Sequence, residues 1–217
     1  MEEQLNRFFE AIMHSVRAVD KQYLNTVYND IEGIKYAFGR NDRRNIDKNK
    51  LYKSAERTFC NEFYHQLRIR IDRIREINPA FLHGTLLQSE VPKYQVLEML
   101  QRLGLQGLSA NFIPDFLMHT PGTADLHAFV IEVKSNRFLS FNELKDDISK
   151  LAEFIIRYDY KRGVFIGINL SLDDISDLIG RCHFNQEVLE ASNRIRIVTR
   201  DREANEANDC ALNEFEI

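Results

Sequence analysis

Residues 111 to 136 read NFIPDFLMHTPGTADLHAFVIEVKSN, two apolar runs on either side of Pro121-Gly122-Thr123. Proline and glycine side by side favour a reversal, so the runs are expected to pair as an antiparallel hairpin. In a hairpin each strand fixes its partner's register, and a slip of one residue turns every side chain to the opposite face. Asp115 and Glu132 lie at equal distances from a point between residues 123 and 124. They are therefore expected opposite or nearly opposite one another, with β-carbons ~5 Å apart. Lys134 is two residues past Glu132 and shares its face.

That arrangement is costly. Like charges across a strand pair repel. Burying them beside Ile113, Val130 and Ile131 adds a desolvation penalty unless something compensates. A divalent cation would compensate: Mg²⁺ takes carboxylate oxygens, keeps several waters and bridges to phosphate. A lysine beside it would orient or deprotonate a water, or meet charge developing on a phosphoryl group. The blander alternative is an acid pair neutralised by Lys134 at a sheet edge. The run FVIEVK favours an interior strand instead, because its charges sit among apolar residues.

The rest of the chain supplies a frame. Leu5, Phe8, Ile12, Val16 and Val19 recur at three- and four-residue steps, which predicts an amphipathic helix over 2–28. A short helix is expected over Asp30–Phe38, then a polar loop over Gly39–Asn45. Phe59, Phe63, Leu67 and Ile71 predict a second long helix from about Lys50, stopped by Asn78-Pro79. An extended run is expected over Thr85–Val91 and a helix over Tyr94–Leu103. After the hairpin, Leu144, Ile148, Leu151 and Ile155 predict a crossover helix, and Gly163–Ile168 a buried strand parallel to its neighbour. A helix near Asp173–Arg181 and a strand over Arg194–Thr199 follow. The expected class is α/β with a mixed central sheet.

Charge is distributed unevenly. The net charge is −4, but residues 35 to 75 hold twelve bases against five acids, compatible with a phosphate-backbone partner or with a solvated helix face. Residues 201–217 hold six acids against one base and read as a loose tail. The acidic N-terminus lacks the pattern of a secretory leader, and no apolar run is long enough to span a membrane. Three scattered cysteines fit a reducing compartment, so a cytoplasmic protein is expected. Walker, GxGxxG and GxSxG signatures are absent from the sequence, which removes support for nucleotide-driven motors, dinucleotide enzymes and serine hydrolases.

IPDF followed by IEVK resembles the PD-(D/E)xK, or restriction-endonuclease-like, nuclease superfamily: Pro114-Asp115 stands for the PD, and Glu132-Val133-Lys134 for the ExK. The resemblance covers about residues 50 to 170. It implies a core of helix, three strands, helix and strand, here over 50–200, with residues 1–49 as an N-terminal helical extension. It implies Mg²⁺, with Mn²⁺ as a substitute, held by Asp115, Glu132 and the carbonyl of Val133, and a catalytic Lys134. Members often supply a further acid from the preceding helix. Glu56 is expected in that role, because it shares the stripe of Phe59, Cys60, Phe63 and Leu67; Glu62 falls further round. Lys150 is a candidate substrate contact on the crossover helix, and Lys93, with Glu90, at the end of the first strand. The implied activity is metal-dependent endonucleolytic hydrolysis, most readily of DNA, by a protein that such relatives suggest is dimeric. A non-enzymatic module on the same fold, and a helical interaction protein acting through residues 1–77, are the alternatives. His119, His127, Tyr23, Tyr28 and Tyr36 read as turn or packing residues.

Overall fold

The structure is a computed structural model and describes residues 1–24, 48–90, 108–109, 113–123, 125–135, 139–201 and 206–217. The expected helices at 30–38 and 94–103, the loop at 39–45, Lys93, Tyr28 and Tyr36 lie outside the described residues. In chain order the elements are α1 (Glu2–Ala18), α2 (Lys21–Leu24), α3 (Lys48–Ile77), β1 (Leu86–Ser89), β2 (Phe116–His119), β3 (His127–Lys134), α4 (Phe141–Arg157), β4 (Arg162–Ile168), α5 (Leu172–Ile179), α6 (Gln186–Ala191), β5 (Ile195–Arg200) and β6 (Asn208–Ala211). Of the described helices, none is long and apolar enough to cross a membrane.

The strands form one six-stranded mixed sheet in sequential order. β1, β2 and β3 are antiparallel neighbours, β3, β4 and β5 run parallel, and β6 returns antiparallel to β5. The α/β class and the parallel crossover from β3 through α4 to β4 are therefore as expected. Two apolar clusters cover the two faces. Phe8, Ile12 and Val16 of α1 and Phe59, Phe63, Leu67 and Ile71 of α3 pack on Phe116, Phe129, Ile131 and Ile166. Leu144, Ile148, Leu151 and Ile155 of α4, with α5 and α6, pack on Leu117, Val130, Phe165 and Ile197.

Helix ends follow local chemistry. Ser140 and Glu143 form a reciprocal capping box at the start of α4, which fixes where the crossover helix begins. A β-carbon added to Gly163 would lie 3.1 Å from Ile155 Cδ1 and 3.3 Å from Leu151 Cβ, so glycine lets α4 close onto β4. Gly122 occupies the left-handed region (φ 78°) in the turn predicted before β3.

Within the expected N-terminal extension, α1 shares the core with α3 and the sheet, and the ring of Phe8 sits 4.7 Å from that of Phe129. Expectations for the tail and for the first hairpin strand need correction. The acidic tail is not loose throughout. Residues 208–211 add a strand, with Ala211 and Leu212 buried and Asp209 paired to Arg196. A cross-strand cation offsets the local surplus of acid. Among the described residues of the first run, 113–119, the strand begins only at Phe116, and Ile113 is 53% exposed rather than packed beside the acids. Helix α6 lacked enough length to announce itself by period.

Arg200 ties the end of β5 to α1. Its side chain is buried, and Nη1 donates to the carbonyls of Val16 at 2.5 Å and Val19 at 2.7 Å. These are carbonyls that the end of α1 leaves without helical partners. Arg200→Ala should lower unfolding stability by about 3 kcal/mol in urea titration, the scale of charged hydrogen bonds removed from a buried site. Hydrogen exchange should localise the loosening to α1.

Candidate active site

β3 carries the predicted charges through the interior, with seven of its eight residues buried. Strand alternation turns Phe129, Ile131 and Val133 toward α1 and α3, and Val130 and Glu132 toward α4. The hairpin register is Phe116 opposite Ile131, Leu117 opposite Val130 and Met118 opposite Phe129. This is the register that makes Asp115 and Glu132 neighbours. A bulge between Met118 and His119 absorbs one residue nearer the turn without disturbing it.

Asp115 itself lies at a bend just before β2. Its Oδ2 accepts the amide of Val133 at 2.7 Å, so the carboxylate continues the ladder where β2 stops. Its backbone carbonyl accepts from the amide of Glu90 at 3.1 Å, tying the bend to the end of β1. For Val133, expected to offer a carbonyl to a metal, the described bond is this amide on Asp115.

The lysines close a chain of alternating charge. Lys150 Nζ lies 2.7 Å from Glu132 Oε2 and 3.2 Å from Asp147 Oδ1. Lys134 Nζ lies 3.4 Å from Asp147 Oδ2. Glu56 approaches from α3, its Oε2 3.4 Å from the amide of Ser135 just past β3. The structure thus brings Asp115, Glu132, Lys134, Glu56 and Lys150 together. It adds Asp147, which sequence reasoning passed over. The signal was present: Asp147 falls with Leu144, Ile148 and Leu151 on the inward stripe of α4. Glu62 turns away and accepts from Gln66 at 2.7 Å.

Electrostatics define what the cluster lacks. Burial raises the pKa of Asp115, against the Val133 amide, Lys134 and Lys150, while Asp147 pushes it further up. Glu56 is raised by burial foremost, with Asp115 adding to it and Lys134 opposing. Glu132 is held well above the carboxylate range by burial and then by Asp115, with Lys150 pulling it back. For Lys134 burial acts downward, but Asp147, Glu56, Asp115 and Glu132 together outweigh it and the pKa rises. Lys150 rises for the same reason, with Glu132 and Asp147 prevailing over burial. Four carboxylates thus face two ammonium groups. Glu132 Oε1 is buried and has no hydrogen-bond partner among the described residues.

A hard divalent cation matches this deficit in charge and in donor chemistry. Among the described residues, no three acidic, histidine or cysteine side chains converge closely enough to hold one as they stand. The ammonium of Lys150 occupies Glu132 instead. The residues fit the ion in kind, and seating it on Glu132 requires Lys150 to give way.

An open cleft of about 550 Å³ reaches this end of the sheet, lined by Glu56, Cys60, Tyr64, Ser89, Glu90 and Asp115 among others. Burial, then Asp115 and Glu56, push the Cys60 thiol up, which argues against a thiolate nucleophile in the cleft. Glu90 stands exposed at the rim with a positive φ of 46°. His119 lies 2.6 Å from Gln88 Oε1 through Nε2, and the buried His127 meets the carbonyl of Tyr158 at 2.5 Å through Nδ1, so both are structural in their contacts. No family model, curated protein or solved structure matches the chain.

Burial first, then His127, lowers the His119 pKa from 6.5 to about 4. The unfolded chain therefore takes up a proton that the folded one refuses as pH falls through this window. Stability contributed by neutral His119 is complete above pH 6.5 and is lost toward pH 4. Allowing for partial exposure, the loss should be about 1–2 kcal/mol. His119→Gln should flatten the pH dependence of the melting temperature between those limits.

Proposed function

We propose that this chain is a metal-dependent phosphodiester hydrolase acting on DNA, with a restriction-endonuclease-like core over about 50–200. The observation that carries the reading is the meeting of Asp115, Glu132, Lys134 and Glu56 beside an open cleft, where carboxyl groups outnumber ammonium groups. The order helix, three strands, helix, strand supports it, as does the resemblance of Pro114-Asp115 and Glu132-Val133-Lys134 to the superfamily's motif.

Asp115 and Glu132 would hold Mg²⁺ or Mn²⁺, with Glu56 and the Val133 carbonyl as further oxygen donors. When bound, the ion would supply Lewis acidity, lowering the pKa of a water and drawing charge from a phosphoryl oxygen. Lys134 is a positive group of the cluster that pairs with Asp147 and not with Glu132. Surrounding carboxylates keep it protonated. Its role in this reading is therefore to receive negative charge that develops on the phosphate, rather than to take a proton from water. Asp147 fixes it in place at 3.4 Å.

The cleft is open enough to admit a nucleic-acid backbone, and Arg57 lines it. Not all of the basic stretch can serve there. Arg75 donates to the carbonyls of Phe81, Leu82 and Thr85 and holds the turn after α3. Arg40, Arg43 and Arg44 lie outside the described residues.

A second reading, a catalytically inactive binding module, is favoured by the Lys150 ammonium on Glu132. Incubation with supercoiled plasmid separates the two. Wild type should nick or linearise it in Mg²⁺ or Mn²⁺, and Asp115→Ala and Lys134→Ala should each slow cleavage by about 10²–10³-fold. Binding that is strongly salt-dependent but indifferent to metal, with no cleavage of duplex DNA, single-stranded DNA or RNA, would replace the hydrolase with the binding module.

A further inference from the structure

The geometry points to Lys150 as a resident cation that keeps the place of a divalent ion on Glu132, with Asp147 as its second berth. This rests on the reading of the cluster as a cation site, and concerns how that site is filled and emptied. Lys150 Nζ is shared between the two acids, 2.7 Å from Glu132 and 3.2 Å from Asp147. All three side chains are largely buried, with Glu132 at 2% exposure and Lys150 at 13%. A carboxylate this deep cannot be left without a counter-charge. The ammonium lets the chain fold before any ion arrives.

The exchange is possible because Lys150 has somewhere to go. Asp147 lies one turn earlier on α4, and its other oxygen faces Lys134. When Glu132 turns to an incoming ion, Lys150 keeps Asp147 and is not stranded as a buried charge. A flexible four-carbon stem allows this small movement where a planar guanidinium would resist it. Glu132 Oε1, without a hydrogen-bond partner among the described residues, gives the ion a first point of attachment before Lys150 leaves Oε2. Asp147 is thus a positioning residue. It holds both lysines and need not touch substrate or metal.

Lys134 provides the control. It adds the same charge to the cluster, yet its bonding contact is with Asp147 and not with Glu132. A purely long-range effect would make the two lysines alike, whereas competition for Glu132 separates them. The experiment is calorimetric titration of Mn²⁺ into the full chain without nucleic acid, for wild type, Lys150→Gln and Lys134→Gln, with circular dichroism confirming folding. Lys150→Gln should tighten Mn²⁺ binding by about tenfold, the scale of one charged hydrogen bond no longer displaced. Lys134→Gln should tighten it clearly less. Should Lys150→Gln fail to fold, Lys150→Met takes its place, matching the length of the aliphatic stem.

Equal tightening in the two variants, or weaker binding in Lys150→Gln, would overturn the exchange while leaving the hydrolase reading standing. Absence of Mn²⁺ binding in wild type and in Lys150→Gln alike would remove both. Preferential tightening in a protein that cleaves no nucleic acid would support the exchange and leave the nuclease reading without support.

Discussion

A strand covered by helices on both faces has no wet side on which to keep a charge. That constraint on β3 governs the organisation of the molecule around it. Val130 and Ile131 face opposite apolar layers, and Glu132 follows them into the interior at 2% exposure. A buried carboxylate must be neutralised, protonated or bonded. The fold supplies Lys150 from the helix that the β3–β4 crossover requires in any case. Asp147 then follows as the acid that positions two ammonium groups, and Glu56 enters from the opposite layer at the strand's end. The cluster is a consequence of running one charged strand through a three-layer sandwich.

Much of this was legible because the hairpin is local. Pro121 and Gly122 mark the reversal, and apolar runs on either side determine which residues face which. The bulge at Met118/His119 lies between the turn and the paired acids, so it could have moved the register; the ladder beyond it still aligns Asp115 with Glu132. The helix stripes of α1, α3 and α4 were equally clear, since each repeats over several turns.

What escaped depended on contacts distant in sequence. Asp147 is an acid on an apolar stripe, and its meaning emerges only when Lys134, thirteen residues earlier, is placed above it. The strand near the C-terminus was hidden by its acids, because Arg196 as a partner for Asp209 is a property of the sheet and not of the segment. Asp115 was expected within the strand, and the bend that frees its carboxylate to meet the Val133 amide has no signature beyond Pro114. The choice between Glu56 and Glu62 was legible in kind: the stripe of large apolar residues pointed to the acid that the structure places beside Ser135.

The bond from Arg200 to the carbonyls of Val16 and Val19 joins positions more than 180 residues apart. Such a closure cannot form while the chain is still short. During synthesis α1 emerges well before the residue that fastens its end, and its Phe8 and Ile12 stripe stays uncovered in the interval. Through that interval the nascent chain carries a greasy helix that other factors in the cell can reach.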